Sequence, residues 1–203
     1  MTVAAMSAML THAAATSAAP SHPGDPVTRY VQVGPNASAT FSPRDVKVHL
    51  GSTVEWDWAS SGHSSTDSTG LNLWDSGVLN AGATFSHIFT AAGAYHYVST
   101  SDTGMGGRIT VPMHVWPRTG PGQSLFHFVF ATEVAPNDYR YQLQRQREGD
   151  TGWHGFGETN QPSSKSYLGV GTWRFRMRMQ LYGFPTVYHS GWTPVVSITV
   201  TSG

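Results

Sequence analysis

The chain has no cysteine. Disulfides, thiolate nucleophiles and cysteine-ligated metal sites are therefore excluded outright, although the absence assigns no compartment. Charge is scarce as well. Asp, Glu, Lys and Arg make up 12% of residues, twelve acidic against twelve basic, for a net charge of zero and a pI near 7.2. Neither a nucleic-acid footprint nor a polybasic membrane patch is implied. No apolar run is long enough to span a bilayer, and no amphipathic helical pattern is sustained. What fills the chain instead is 22 Gly, 12 Pro, abundant Thr and Val, and many aromatics. That composition predicts an all-β protein, and 203 residues suffice for one large or two small domains.

Residues 1–19, MTVAAMSAMLTHAAATSAA, are small and weakly apolar. A short apolar stretch over 3–10 and the Ala run at 13–15 fit an export signal with its cleavage site, although a basic start is missing. The pattern predicts a signal peptide over 1–19, a linker over 20–26, and a secreted or cell-surface protein. Strand patterns begin at Val27. Val46, Val48 and Leu50 share one face, and Val54-Glu-Trp56-Asp-Trp58 alternates apolar with acidic.

Residues 93–111, GAYHYVSTSDTGMGGRITV, organise the first half. Tyr95, Tyr97 and Ser99 fall on one face of a strand, and His96 and Val98 on the other. A tight loop and a β-branched strand follow. With FSPRDVKVHLGSTVEWDW, SGHSS, DSGVLNAGATFSHIFTAAGAYHY and MGGRITV in that order, residues 27–111 resemble plastocyanin-like blue copper proteins, the cupredoxins. The resemblance implies a Greek-key β-sandwich with a copper site between its loops. It places His63 at the first imidazole ligand and Met105 at the axial thioether. Ser99 stands at the thiolate position and Asp102 at the second imidazole.

Residues 112–122, PMHVWPRTGPG, are expected as a short, stiff connector. A second strand series fills 123–203. Its phrases YRYQLQRQREGDTGW, GVGTWRFRMRMQ and SGWTPVVSITV resemble a fibronectin type III domain, which implies a second β-sandwich. Trp173 stands where such domains place a corner tyrosine. Trp173, Phe175, Met177 and Met179 alternate with Arg174, Arg176 and Arg178.

The chemistry of these residues narrows what the chain does. A blue copper centre needs two imidazoles, a thiolate and a weak axial thioether. A serine hydroxyl cannot replace the thiolate, so copper electron transfer is not expected, and weak copper capture by His63, Met105 and Asp102 is the alternative. His63, Ser99 and Asp102 are also the residue types of a hydrolase triad. Ligand positions aim one imidazole nitrogen at a shared centre, however, so Ser99 and Asp102 would compete for it, and no catalysis is expected. A hydrogen-bonded polar plug is the simpler expectation. His49, His87 and His96 are expected on solvated strand faces. The arginines of 174–178, with Arg145 and Arg147, read as a solvated sheet face before an anionic-glycan site. Asn36-Ala-Ser is a glycosylation sequon. Together these features predict a non-enzymatic extracellular module with no cofactor, whose partner is a protein or a glycan.

Overall fold

The computed structural model describes residues 24–203; the expected signal peptide and residues 20–23 of the linker lie outside the described residues. The first half folds as eight strands: β1 (Thr28–Val33), β2 (Phe41–Ser42), β3 (Asp45–Lys47), β4 (Ser52–Trp58), β5 (Thr66–Asp67), β6 (Thr84–Phe89), β7 (Gly93–Val98) and β8 (Gly106–Val111). They form two sheets, ordered β2-β1-β4-β6 and β3-β8-β7-β5. Each sheet holds one parallel pair, β1 with β4 and β3 with β8.

Alternation decides which faces meet. Val54, Trp56 and Trp58 of β4 are buried, with Glu55 and Asp57 turned outward between them. Across the sandwich, Tyr95 and Tyr97 of β7 are buried and His96 is exposed. Trp56 touches Tyr97 edge-on at 5.5 Å between ring centroids, and Phe41 meets Tyr97 at 4.6 Å. Truncating such a buried Trp costs roughly 3–5 kcal/mol. Gly107 in β8 allows this packing, because a Cβ there would run into the Tyr97 ring and the Arg44 carbonyl.

The second half contributes β9 (His114–Trp116), β10 (Thr119–Pro121), β11 (Leu125–Val129), β12 (Tyr139–Arg147), β13 (His154–Thr159), β14 (Ser163–Tyr167), β15 (Gly171–Tyr182), β16 (Val187–His189) and β17 (Val196–Thr201). One sheet runs β10-β17-β15-β12-β13, with β16 on β15, and the other β14-β11-β9. Phe128 of β11 packs on Phe175 of β15 at 4.8 Å, which joins the two layers. The expected connector thus supplies two strands of this half. Both lie at sheet edges, where flanking or included proline removes no ladder bond that matters. Val115 is buried and pairs with Phe128.

Backbone bridges Ala91–Ala131 and Ala94–Gly191 link the halves, and the Tyr139 hydroxyl donates to the Leu71 carbonyl at 2.6 Å. Buried side chains of both halves form one continuous cluster. The protein is all-β, built from sandwiched sheets, and the sole helical piece among the described residues is a 3-10 turn at Pro35–Ala37.

Candidate functional site: the loops around His63

His63 follows β4 in the loop SSGHSS. Its carbonyl accepts the Trp58 indole N–H at 2.8 Å and the Leu79 N–H at 2.9 Å, so two elements fix its backbone. The residue is buried, at 8% exposure. Ser99 ends β7, and Asp102 lies on the loop to β8. That loop is closed by Ser99 N–H donating to the Met105 carbonyl at 3.1 Å and by Met105 N–H to the Asp102 carbonyl at 3.4 Å.

These loops converge on one carboxylate oxygen. Asp102 Oδ2 accepts from His63 Nδ1 at 2.7 Å and from Ser99 Oγ at 2.7 Å. The Ser99 hydroxyl in turn accepts the Ser64 N–H at 3.1 Å. Ser64 Oγ binds Thr100 through both its hydroxyl, at 3.0 Å, and its N–H, at 2.8 Å. The hydrogen bond from His63, then that from Ser99, hold the Asp102 carboxyl below its ordinary value. Met105 is buried at 2% exposure and belongs to the hydrophobic cluster, tied to Ser99 and Asp102 through the backbone.

Ser60 is a further member that sequence reasoning missed. Its Oγ lies 3.1 Å from His63 Nε2 and donates to the Gly34 carbonyl at 2.7 Å. The order Ser60–His63–Asp102 is that of a hydrolase triad. Yet the proton of Ser60 is committed to Gly34, so the hydroxyl faces the ring as an acceptor. The Ser60 proton therefore points at the Gly34 carbonyl and away from Nε2, whereas a triad serine directs its proton at the ring nitrogen that takes it. Gly34 itself is left-handed, at φ 67°, and any Cβ there would strike Ser60 Oγ and the His63 ring. The seryl type carries no ligand signal; the turn-forming run SSGH was the available hint.

Blue copper does not fit this donor set. The chain has no thiolate, His63 Nδ1 is engaged by Asp102, and Ser99 is both donor and acceptor to protein groups. Among the described residues no three His, Cys, Asp or Glu side chains cluster in a way that could hold a metal ion.

The other singled-out residues fall elsewhere. His96 is exposed, whereas His87 is half-buried and stacks on Trp74 at 5.1 Å, where burial lowers its imidazole pKa. Arg176 lies between Trp153 and Trp192, at 4.2 and 4.4 Å from their ring centroids, and Arg178 covers Trp192 at 4.5 Å. Gln144 accepts from Arg176 and Gln142 from Arg178. Arg174 is exposed. Trp173 Nε1 donates to the Gly169 carbonyl at 2.7 Å, four residues upstream, a bond of the kind a corner tyrosine makes. No helix of the described residues is long and apolar enough to cross a membrane.

No family model matches the chain, and no curated protein is similar to it. Among solved structures, a purple cupredoxin from Nitrosopumilus maritimus is 24% identical, over 40% of this chain and 97% of its own, with a TM-score of 0.37. A reduced Cu(I) form of an amicyanin variant is 24% identical, over 44% of this chain and 84% of its own, with a TM-score of 0.37. A copper-containing nitrite reductase from Thermus scotoductus is 25% identical, over 48% of this chain and 24% of its own, with a TM-score of 0.36. These three solved structures are cupredoxins or copper proteins, each similar over somewhat less than half of this chain.

Proposed function

We propose that this chain is an exported, non-enzymatic binding or structural module, in which a cupredoxin-like sandwich with a decayed copper site precedes a fibronectin type III-like sandwich. One observation carries the first part. The carboxylate of Asp102 takes the His63 nitrogen that would otherwise be free to bind a metal ion, and Ser99 locks that carboxylate in place. A polar plug of this kind holds two loops together and leaves no soft donor for copper. The indole bond of Trp173 to Gly169 supports the second part. Alternating exposed faces on both sandwiches suit a scaffold that presents surface to a protein or glycan partner, and the small-residue start of the sequence supports export.

Copper titration tests the plug. Wild-type protein mixed with Cu(II) should show no intense visible band and retain no stoichiometric copper after desalting. The double substitution Ser99→Cys and Asp102→His removes the plug and supplies the missing thiolate and imidazole. It should turn blue with Cu(II), while Ser99→Cys alone gives weaker colour. A wild-type protein that keeps one copper per chain would overturn the proposal; a folded double variant without a blue band would show that these loops never matched a copper frame.

A further inference from the structure

A cavity of about 640 Å³ opens where the N-terminal end of the described chain, the end of β3 and the β9 segment meet. Lys47, His49, His114 and Arg118 line it, against one carboxylate, Asp25. Leu50, Met113 and Val129 supply an apolar wall. In a chain with so few charges, four nitrogen-bearing side chains on one cavity are a concentration. Several arginines outside it are engaged: Arg108 pairs with Asp45 at 3.3 Å, and Arg176 and Arg178 are stacked and bonded to glutamines. The side chains of Lys47, His49 and Arg118 make no hydrogen bond, ion pair or ring contact among the described residues, and His114 only meets the tilted Trp116 ring, at 5.2 Å.

We infer that this cavity binds a small organic oxyanion, a phosphate or sulfate ester whose charged head meets Lys47 and Arg118 while its apolar body lies on the Leu50–Met113 wall. Cations at the rim of a low-dielectric cavity focus potential on it. An arginine presents a planar fork to tetrahedral oxygens, and a lysine adds a point charge. The volume falls within the range of small-ligand sites, and the mixed polar and apolar lining is the usual one. Both halves of the chain contribute, since Lys47 and His49 come from the first and His114 and Arg118 from the second. The inference does not depend on the fate of the copper loops.

Titration of the full chain, followed by amide NMR shifts, tests it with three probes: phenyl phosphate, phenyl sulfate and inorganic phosphate. One or both esters should shift the amides of His49, Met113 and His114 saturably, at one molecule per chain, and the tighter ester identifies the head group. Inorganic phosphate, lacking a body for the apolar wall, should bind at least tenfold more weakly. The double substitution Lys47→Gln and Arg118→Gln should weaken ester binding tenfold or more with an unchanged melting temperature, because neither side chain has a hydrogen bond, ion pair or ring contact to lose. Raised salt should weaken it too. No saturable shift of those amides with either ester would overturn the inference, as would equal binding by the double variant. Should that variant fail to fold, uncharged phenol decides on the wild-type protein: binding as tight as that of the esters would also overturn it.

Discussion

Ser99 and His63 meet only through Asp102, each donating to the same carboxylate oxygen, Oδ2, across 2.7 Å. One acceptor therefore ties the strand end of β7 to the loop after β4. Asp102→Asn keeps the shape but halves the acceptor character and removes the charge. At neutral pH it should destabilise the protein by roughly 1–3 kcal/mol in urea unfolding, as expected for a lost charged hydrogen-bond acceptor.

The same carboxylate sets an acid response. Its folded pKa lies below the ordinary value of 3.8, so the unfolded chain takes up this proton at a higher pH than the folded one does. The stabilisation is complete above 3.8 and is lost as pH falls through the folded value. The stability gap between wild type and Asp102→Asn should therefore be constant at neutral pH and close on acidification. Urea midpoints of both proteins, measured across the acid range, check this; a gap that persists unchanged at the lowest pH refutes it.

Gly34→Ala should be among the most damaging single-methyl changes in the chain. It forces a side chain into the left-handed region and places its Cβ against Ser60 Oγ and the His63 ring. Backbone strain alone costs about 1–3 kcal/mol. Thermal melting reads the loss, and the His63 ring proton signals should shift with it. A change in neither would mean the loops have room that the geometry denies them.

How much of this was legible beforehand differs by residue. The burial of Val54, Trp56 and Trp58 on one face followed directly from strict alternation, as did the inward set of β15. The meeting of His63, Ser99 and Asp102 from two loops could be anticipated only through family resemblance, because no local period spans a separation of 39 residues. Ser60 escaped notice since a hydroxyl that bridges a ring nitrogen and a carbonyl leaves no pattern in sequence. β9 and β10 were hidden by their prolines, which an edge strand tolerates. The alternation of Arg174, Arg176 and Arg178 marks a strand face, an arginine ladder, but its stacking partners Trp153 and Trp192 sit outside any periodic run.

That stacking yields a prediction that separates the arginines. Replacing Arg176 and Arg178 together by Gln removes three ring contacts and the bonds to Gln142 and Gln144. It should lower stability by roughly 1–3 kcal/mol, since each such stack is worth about 0.5–1 kcal/mol at a partly exposed site. Arg174→Gln should stay within about 0.5 kcal/mol of wild type. Equal, negligible effects in both variants, measured by chemical denaturation, would leave the ladder free for a partner instead.

Fragments 27–111 and 112–203 should each melt cooperatively, with the second cut ahead of β9 so that Val115 keeps its place beside Phe128. Both should melt below the intact chain, because separation breaks the Ala91–Ala131 and Ala94–Gly191 bridges and the Tyr139 bond to Leu71. Calorimetry of the three proteins checks the order. A fragment as stable as the whole would show that these links carry no weight.

The parallel pairing of β10 with β17 also decides how the second half responds to being pulled. β10 is reached from the first half at its N-terminal end, and β17 runs to the C-terminus alongside it in register from Thr119–Thr199 to Pro121–Thr201. Tension between the first half and the C-terminus therefore loads the ladder along the strands, so its bonds share the force and must slide together rather than open one by one. Held at its two ends in this way, the second sandwich should resist extension as a shear clamp, with the β9–β11 and β10–β17 pairings as the latches that the load meets first.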